Sequence, residues 1–247
     1  MLPMVTQDDP ALEITGLALR YRRANGPVIR LVNRLGGTLE QQFALVPEGL
    51  RHQIEAAVAS ALHAAYGLAG RAPDLGPRAP MAAVLISGAA GGIGGLATTL
   101  AELPVTVTVI LNAIRLAARD AGLDPDEPWV RAECLRVFGA GSPLASDDGI
   151  DTSFLAARMS ITGTAMQNLI AKIAPKLAAA LGPKLAAQAV PVLGAVSGAA
   201  LNAAFLNYYR EMAHVRFGLL RLATLHGAEP VLAAFKDAIE PARILRA

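Results

Sequence analysis

Residues Met81 to Leu116 read MAAVLISGAAGGIGGLATTLAELPVTVTVILNAIRL. From Met81 to Ala101 there is no charge, and five glycines punctuate the run. Glu102 is a lone acid, Pro104 follows, and Val and Thr alternate from Val105. Read as helix, Gly88 and Gly92 stand four apart, as do Gly91 and Gly95, and Thr98 and Thr99 extend the small face. A second uncharged run, Leu185 to Tyr209, repeats the spacing at Gly194, Gly198 and Asn202, beside Ala195, Ala199 and Ala203. Small side chains at this interval let two helix backbones approach closely, as in a glycine zipper. The predicted fold is therefore all-α. It is a single multi-helix domain with two central Gly/Ala-rich apolar helical segments packed together. The first stretch is predicted as two helices, broken near Glu102-Leu103-Pro104, because proline lacks the N–H that an inner helical turn needs.

The competing reading is a strand and a nucleotide loop. Ala83 to Gly94, AVLISGAAGGIG, is similar to the glycine loop of short-chain dehydrogenases, with Val105 to Leu111 as a second strand. Glycines there would let the backbone approach a pyrophosphate at a helix N-terminus. Three features oppose it. About 80 residues of helical pattern precede the loop, whereas that family opens with it. No acid closes the second strand to hold a ribose. Each tyrosine (Tyr21, Tyr66, Tyr208, Tyr209) lacks a lysine four residues on, having Asn25, Gly70, Met212 and Ala213 instead.

Composition supports packed helices. Hydrophobic residues are 53%, charged residues 17% and aromatics 4% of the 247. The apolar mass is therefore Ala, Leu and Val, and Ala and Leu favour helix. The net charge of +2 implies no strong field. Arg20, Tyr21, Arg22, Arg23, Arg30 and Arg34 form the nearest thing to a basic patch. It reads as the solvated or lipid-headgroup side of an N-terminal helical region, and no nucleic-acid partner is expected. Cys134 is the single cysteine, so no internal disulfide can form. The opening residues MLPMVTQDDPALE show neither a basic nor an apolar leader region.

Punctuation along the chain sets the elements. Asp9-Pro10 starts a helix that stops at Asn25-Gly26. Leu50, Ile54, Val58, Ala61, Leu62 and Ala65 mark a helix over Glu48–Leu68. Residues 71–80, RAPDLGPRAP, form a break. A helix ends at Gly122, and another starts after Asp124-Pro125 with Trp129, Val130, Cys134, Leu135, Val137 and Phe138 on its apolar side. Pro175 and Pro183 each precede Lys-Leu-Ala-Ala and are predicted as successive helix starts. Further breaks are predicted at Gly227 and Pro230. The expected organisation is an N-terminal helical extension over 1–47, a helical domain over 48–226 and a helical tail over 227–247.

Chemistry-bearing residues are sparse. Glu102 stands alone between apolar runs: a buried acid there would recognise a polar headgroup or act as an acid/base, while an acid at a helix end would merely reach water. Thr106 and Asn112 follow it along the same run, and Asn202 and Asn207 interrupt the second one. These five are the candidate ligand-binding residues, with helix packing as the plainer reading of the asparagines. No catalytic residue, metal ligand or cofactor is assigned. Cys134 has no His or Asp in its local pattern, His52 and His63 lack a third ligand, and His214 and His226 are isolated. Asp147, Asp148 and Asp151 lack the closing Glu of a calcium loop.

Two blocks resemble the EcsC-like family. The first is Ala101-Glu102-Leu103-Pro104-Val105-Thr106-Val107-Thr108, continued by Leu111, Ile114, Ala118-Arg119, Asp124, Arg131 and Cys134 to Gly139. The second is Gln188-Ala189-Val190-Pro191-Val192-Leu193-Gly194 with Gly198 to Asn202, then Met212-Ala213, Phe217 and Arg221. The resemblance covers roughly residues 50–226 and implies an all-helical protein associated with membranes. It departs at Asn112, where family members often carry an arginine.

The functional expectation is a module that binds an apolar small molecule or membrane lipid in or near a helical core. It would be cytoplasmic and peripheral on the inner membrane. Two others are kept: an enzyme using Glu102 as acid/base, and a structural interaction protein of a membrane-associated complex.

Overall fold

The computed structural model describes residues 9–24, 26, 47–68, 95–139, 163–187 and 191–240. Among them are seven helices and no strand: α1 (Pro10–Ala24), α2 (Glu48–Leu68), α3 (Gly95–Asp120), α4 (Pro128–Gly139), α5 (Gly163–Ala187), α6 (Pro191–His226) and α7 (Ala228–Ile239). The all-α expectation holds, and Val105 to Leu111 is helix. The glycine pairs at 88–95 fall outside the described side chains, as does the Asp147 to Asp151 loop.

Three predicted breaks are corrected. α3 runs through Pro104 without interruption, and α5 runs through both Pro175 and Pro183. A proline removes one backbone donor and crowds the preceding turn. Packing of the flanking turns outweighs that cost: Val107, Ile110, Leu111 and Ile114 bury one side of α3. On α5, Ile173, Ala174, Leu177 and Ala178 are buried while Pro175 is exposed. Pro230 likewise sits in the first turn of α7, where its missing N–H is harmless.

The end of α3 follows its sequence. Gly122 adopts φ 76°, Leu123 N–H donates to the Ala118 carbonyl at 3.0 Å, and Gly122 N–H donates to the Arg119 carbonyl at 2.8 Å. This is a Schellman closure, which glycine allows because it carries no Cβ. The turn into α4 is tied down by Arg115, a buried residue of α3. Its Nη1 donates to the Pro125 carbonyl at 3.0 Å and its Nη2 to Asp126 Oδ1 at 2.8 Å. The Arg115 hydrogen bond holds the Asp126 carboxyl below its ordinary range.

α6 is the axis of the molecule. Its 36 residues span about 54 Å. Buried residues surround its middle, including Phe205, Leu206, Tyr209, Ala213, Phe217 and Leu219, as expected of a central helix. Cross-contacts give the directions of its neighbours. Thr106 meets Asn202 and Asp120 approaches His214, so α3 runs parallel to α6. Phe138 meets Tyr209 and Glu133 meets Arg216, so α4 runs antiparallel. Glu13 meets Arg221 and Arg20 meets Glu211, so α1 is antiparallel too.

The core has two parts. The larger joins Ala24 at the end of α1 to α2, α3, α4, α5 and the stretch of α6 from Leu201 to Phe217. The smaller joins Ile14, Leu17 and Ala18 of α1 to Val215, Leu219 and Leu222 of α6 and Val231 and Phe235 of α7. Gly218 makes the second possible: a Cβ there would lie 2.7 Å from Leu17 Cδ2. No helix among the described residues is long and apolar enough to cross a membrane.

Candidate binding seam along helix α6

Asn202, Tyr209 and Arg216 are seven residues apart and buried. Seven residues are close to two helical turns, so the three align along one face of α6. On that face Phe205 and Leu206, then Met212 and Ala213, lie between them; Asn202 meets α3, and Tyr209 and Arg216 meet α4.

At the first level, Asn202 Nδ2 lies 3.4 Å from Thr106 Oγ1 on α3, a long hydrogen bond between two buried side chains. At the second, the Tyr209 ring packs on Phe138 of α4, with centroids 5.0 Å apart, and edge-on to Tyr208 at 5.2 Å. The Tyr209 hydroxyl is buried and has no hydrogen-bond partner among the described residues. Burial, and to a lesser degree Tyr208, pushes its phenol far above the ordinary value, so it stays neutral. At the third, Arg216 Nε and Nη2 both donate to Glu133 Oε2, at 2.8 and 2.6 Å. The other carboxylate oxygen accepts from Arg136.

Of the five candidate residues, the fold brings two together. Thr106 and Asn202 share the α3–α6 interface. Asn112 is half-buried on a different side of α3. Asn207 is half-buried, faces away from Asn202, and accepts from Arg210 Nη2 at 2.9 Å. Glu102 lies one turn before Thr106 on α3, and its side chain is outside the described residues. Sequence reasoning missed Glu133, Arg216 and Tyr209. The signal was periodicity. Glu133 is three residues after Val130 and four before Val137, both apolar and buried. Arg216 is similarly placed between Met212 and Leu219.

Chemically, the seam offers neutral hydrogen-bonding groups beside a neutralised ion pair. Both oxygens of Glu133 are taken by arginines. Cys134, next in sequence, is buried, and burial pushes its thiol up to about 12, partly opposed by Arg115. At pH 8 its thiolate fraction is then about 10⁻⁴, against about one quarter for a free thiol. In the native protein Cys134 should therefore resist Ellman's reagent for hours, and react within minutes in 6 M guanidinium. Rapid native labelling would contradict its burial. No group of three metal-ligating side chains occurs among the described residues.

The sequence model of the EcsC protein family matches residues 78–222. The chain belongs to that family. The match takes in α3, α4, α5 and α6 up to Leu222, and with them every residue of the seam. Helices α1, α2 and α7 lie outside it. No curated protein and no solved structure matches the chain. Within this EcsC protein the buried polar face thus belongs to the family segment, and α1 and α7 cover the far end of α6.

Proposed function

We propose that this EcsC protein binds membrane lipid, docking reversibly on an anionic bilayer surface through α1. The observation that carries the reading is the outer face of that helix. Ile14, Leu17 and Ala18 point into the smaller core. Leu12 and Leu19, seven apart on the opposite side, are 58% and 47% exposed. Gly16 lies between them, and Arg23 follows in the last turn, with Arg22 beside it donating from Nη2 to the Ala238 carbonyl of α7 at 2.9 Å. Single exposed leucines are ordinary on a protein surface. Two in line, ending in exposed arginines, match the boundary between acyl chains and anionic headgroups.

The magnitudes suit reversible docking. Each leucine contributes about 1.5–3 kcal/mol if fully buried. Each arginine near an anionic surface adds about 1 kcal/mol. These magnitudes support reversible docking at the cytoplasmic leaflet through two weak signals of different kind. Salt should weaken the electrostatic part alone.

Gly16 supplies a gain-of-function test. A Cβ at Gly16 meets no atom within 4 Å, so a larger side chain fits without rearrangement. Gly16→Leu adds a third leucine to the stripe and favours helix. Its binding to vesicles of phosphatidylcholine and phosphatidylglycerol should rise about tenfold or more, measured by flotation. Leu12→Ser with Leu19→Ser should abolish flotation. Unchanged partitioning of the Gly16 variant, or wild-type protein that stays with the soluble fraction, would refute the proposal.

A further inference from the structure

We infer that the Tyr209 hydroxyl is the recognition point for a neutral hydroxyl or carbonyl group on an otherwise apolar ligand that enters between α4 and α6. This deepens the lipid-binding reading and rests on it for the apolar character of the ligand.

A buried tyrosine hydroxyl normally finds a partner, and one left without is costly. Phenylalanine would fill the same space without that cost. The surroundings restrict what could supply the missing hydrogen bond. The chain is only 4% aromatic, yet Phe138, Tyr208 and Phe205 all pack at this level or one turn from it. Their rings make the surroundings of the hydroxyl largely apolar. Charge restricts the ligand further. Asn202, Thr106 and Tyr209 are neutral donors and acceptors. Arg216, at the next level, already commits Nε and Nη2 to Glu133. A carboxylate or phosphate brought to the Tyr209 level would lose its hydration, and the Arg216 guanidinium beyond it already holds a carboxylate. A hydroxyl, ester or amide would exchange one hydrogen bond to water for one to Tyr209. Because the site is closed, α4 and α6 must part to admit it, and association should be slower than for an open pocket.

The test uses the full chain, Tyr209→Phe, and three probes: 1-decanol, decane and decanoate. Without probe, the variant should melt about 2–4 °C above wild type, since it removes an unsatisfied polar atom. Wild type should bind decanol more tightly than decane or decanoate. The variant should lose about tenfold in decanol affinity, and its decane affinity should stay the same. A variant that melts below wild type would show the hydroxyl already satisfied by water and overturn the inference. Equal decanol affinity in both proteins would also overturn it. Wild type that floats with vesicles but binds no decanol refutes this inference alone. Wild type that binds decanol but does not float refutes the α1 docking alone.

Discussion

Glu133→Ala should lower the unfolding free energy by about 3–5 kcal/mol, the largest loss expected from any single charge in the described residues. The carboxylate is buried, and both its oxygens accept from guanidinium groups. Arg216 is also buried, and its Nε and Nη2 converge on one oxygen of Glu133. Removing the acid strands a desolvated cation. That penalty, more than the lost attraction, sets the size of the effect. The comparison with a double variant makes this testable. Glu133→Leu with Arg216→Met removes both charges and keeps most of the volume. Its loss should be much smaller than that of Glu133→Ala, because an apolar pair of similar size often matches a buried ion pair. Urea unfolding of Glu133→Leu, Arg216→Met and the double would give the coupling. A loss under about 1 kcal/mol for Glu133→Ala would mean that water reaches Arg216 and that the seam is not dry.

Local signals and long-range packing account for what was legible. Helix α1 begins at Pro10 and ends before Gly26, and α2 spans Glu48–Leu68, both as read from caps and periodicity. Gly122 closes α3 for the same local reason. The prolines misled because the cost of a proline is local, whereas the burial that overrides it comes from neighbouring helices. Val107 and Ile114 are buried by neighbours far along the chain. The candidate site divides along the same line. Thr106 and Asn202 stood out as polar residues in uncharged runs, and they meet although 96 residues apart. Glu133 and Arg216, 83 residues apart, did not stand out, because charges in amphipathic helices usually face water. Only their position within the apolar period marks them. Tyr209 was hidden for another reason: a tyrosine beside apolar residues reads as core, and its hydroxyl becomes notable only when its neighbours are known.

Phe138→Ala should cost about 3–5 kcal/mol, by a mechanism unlike that of the ion pair. Phe138 is among the largest fully buried side chains and packs its ring on Tyr209. Its aromatic neighbour Tyr209 is itself fully buried and packed against Tyr208, so it does not simply swing into the vacated space. Truncation removes the transfer energy of the ring and leaves a void that helical neighbours close only in part. It also removes an aromatic pair contributing about 0.5–1.5 kcal/mol beyond its area. Phe138→Leu keeps much of the volume and should cost far less. The void in Phe138→Ala would be lined by Tyr209 and aliphatic groups, so benzene should enter and raise the melting temperature of the variant more than that of wild type. If benzene has no effect while the stability loss is full, α4 has collapsed onto α6, and the two helices repack more freely than their close-packed contact suggests.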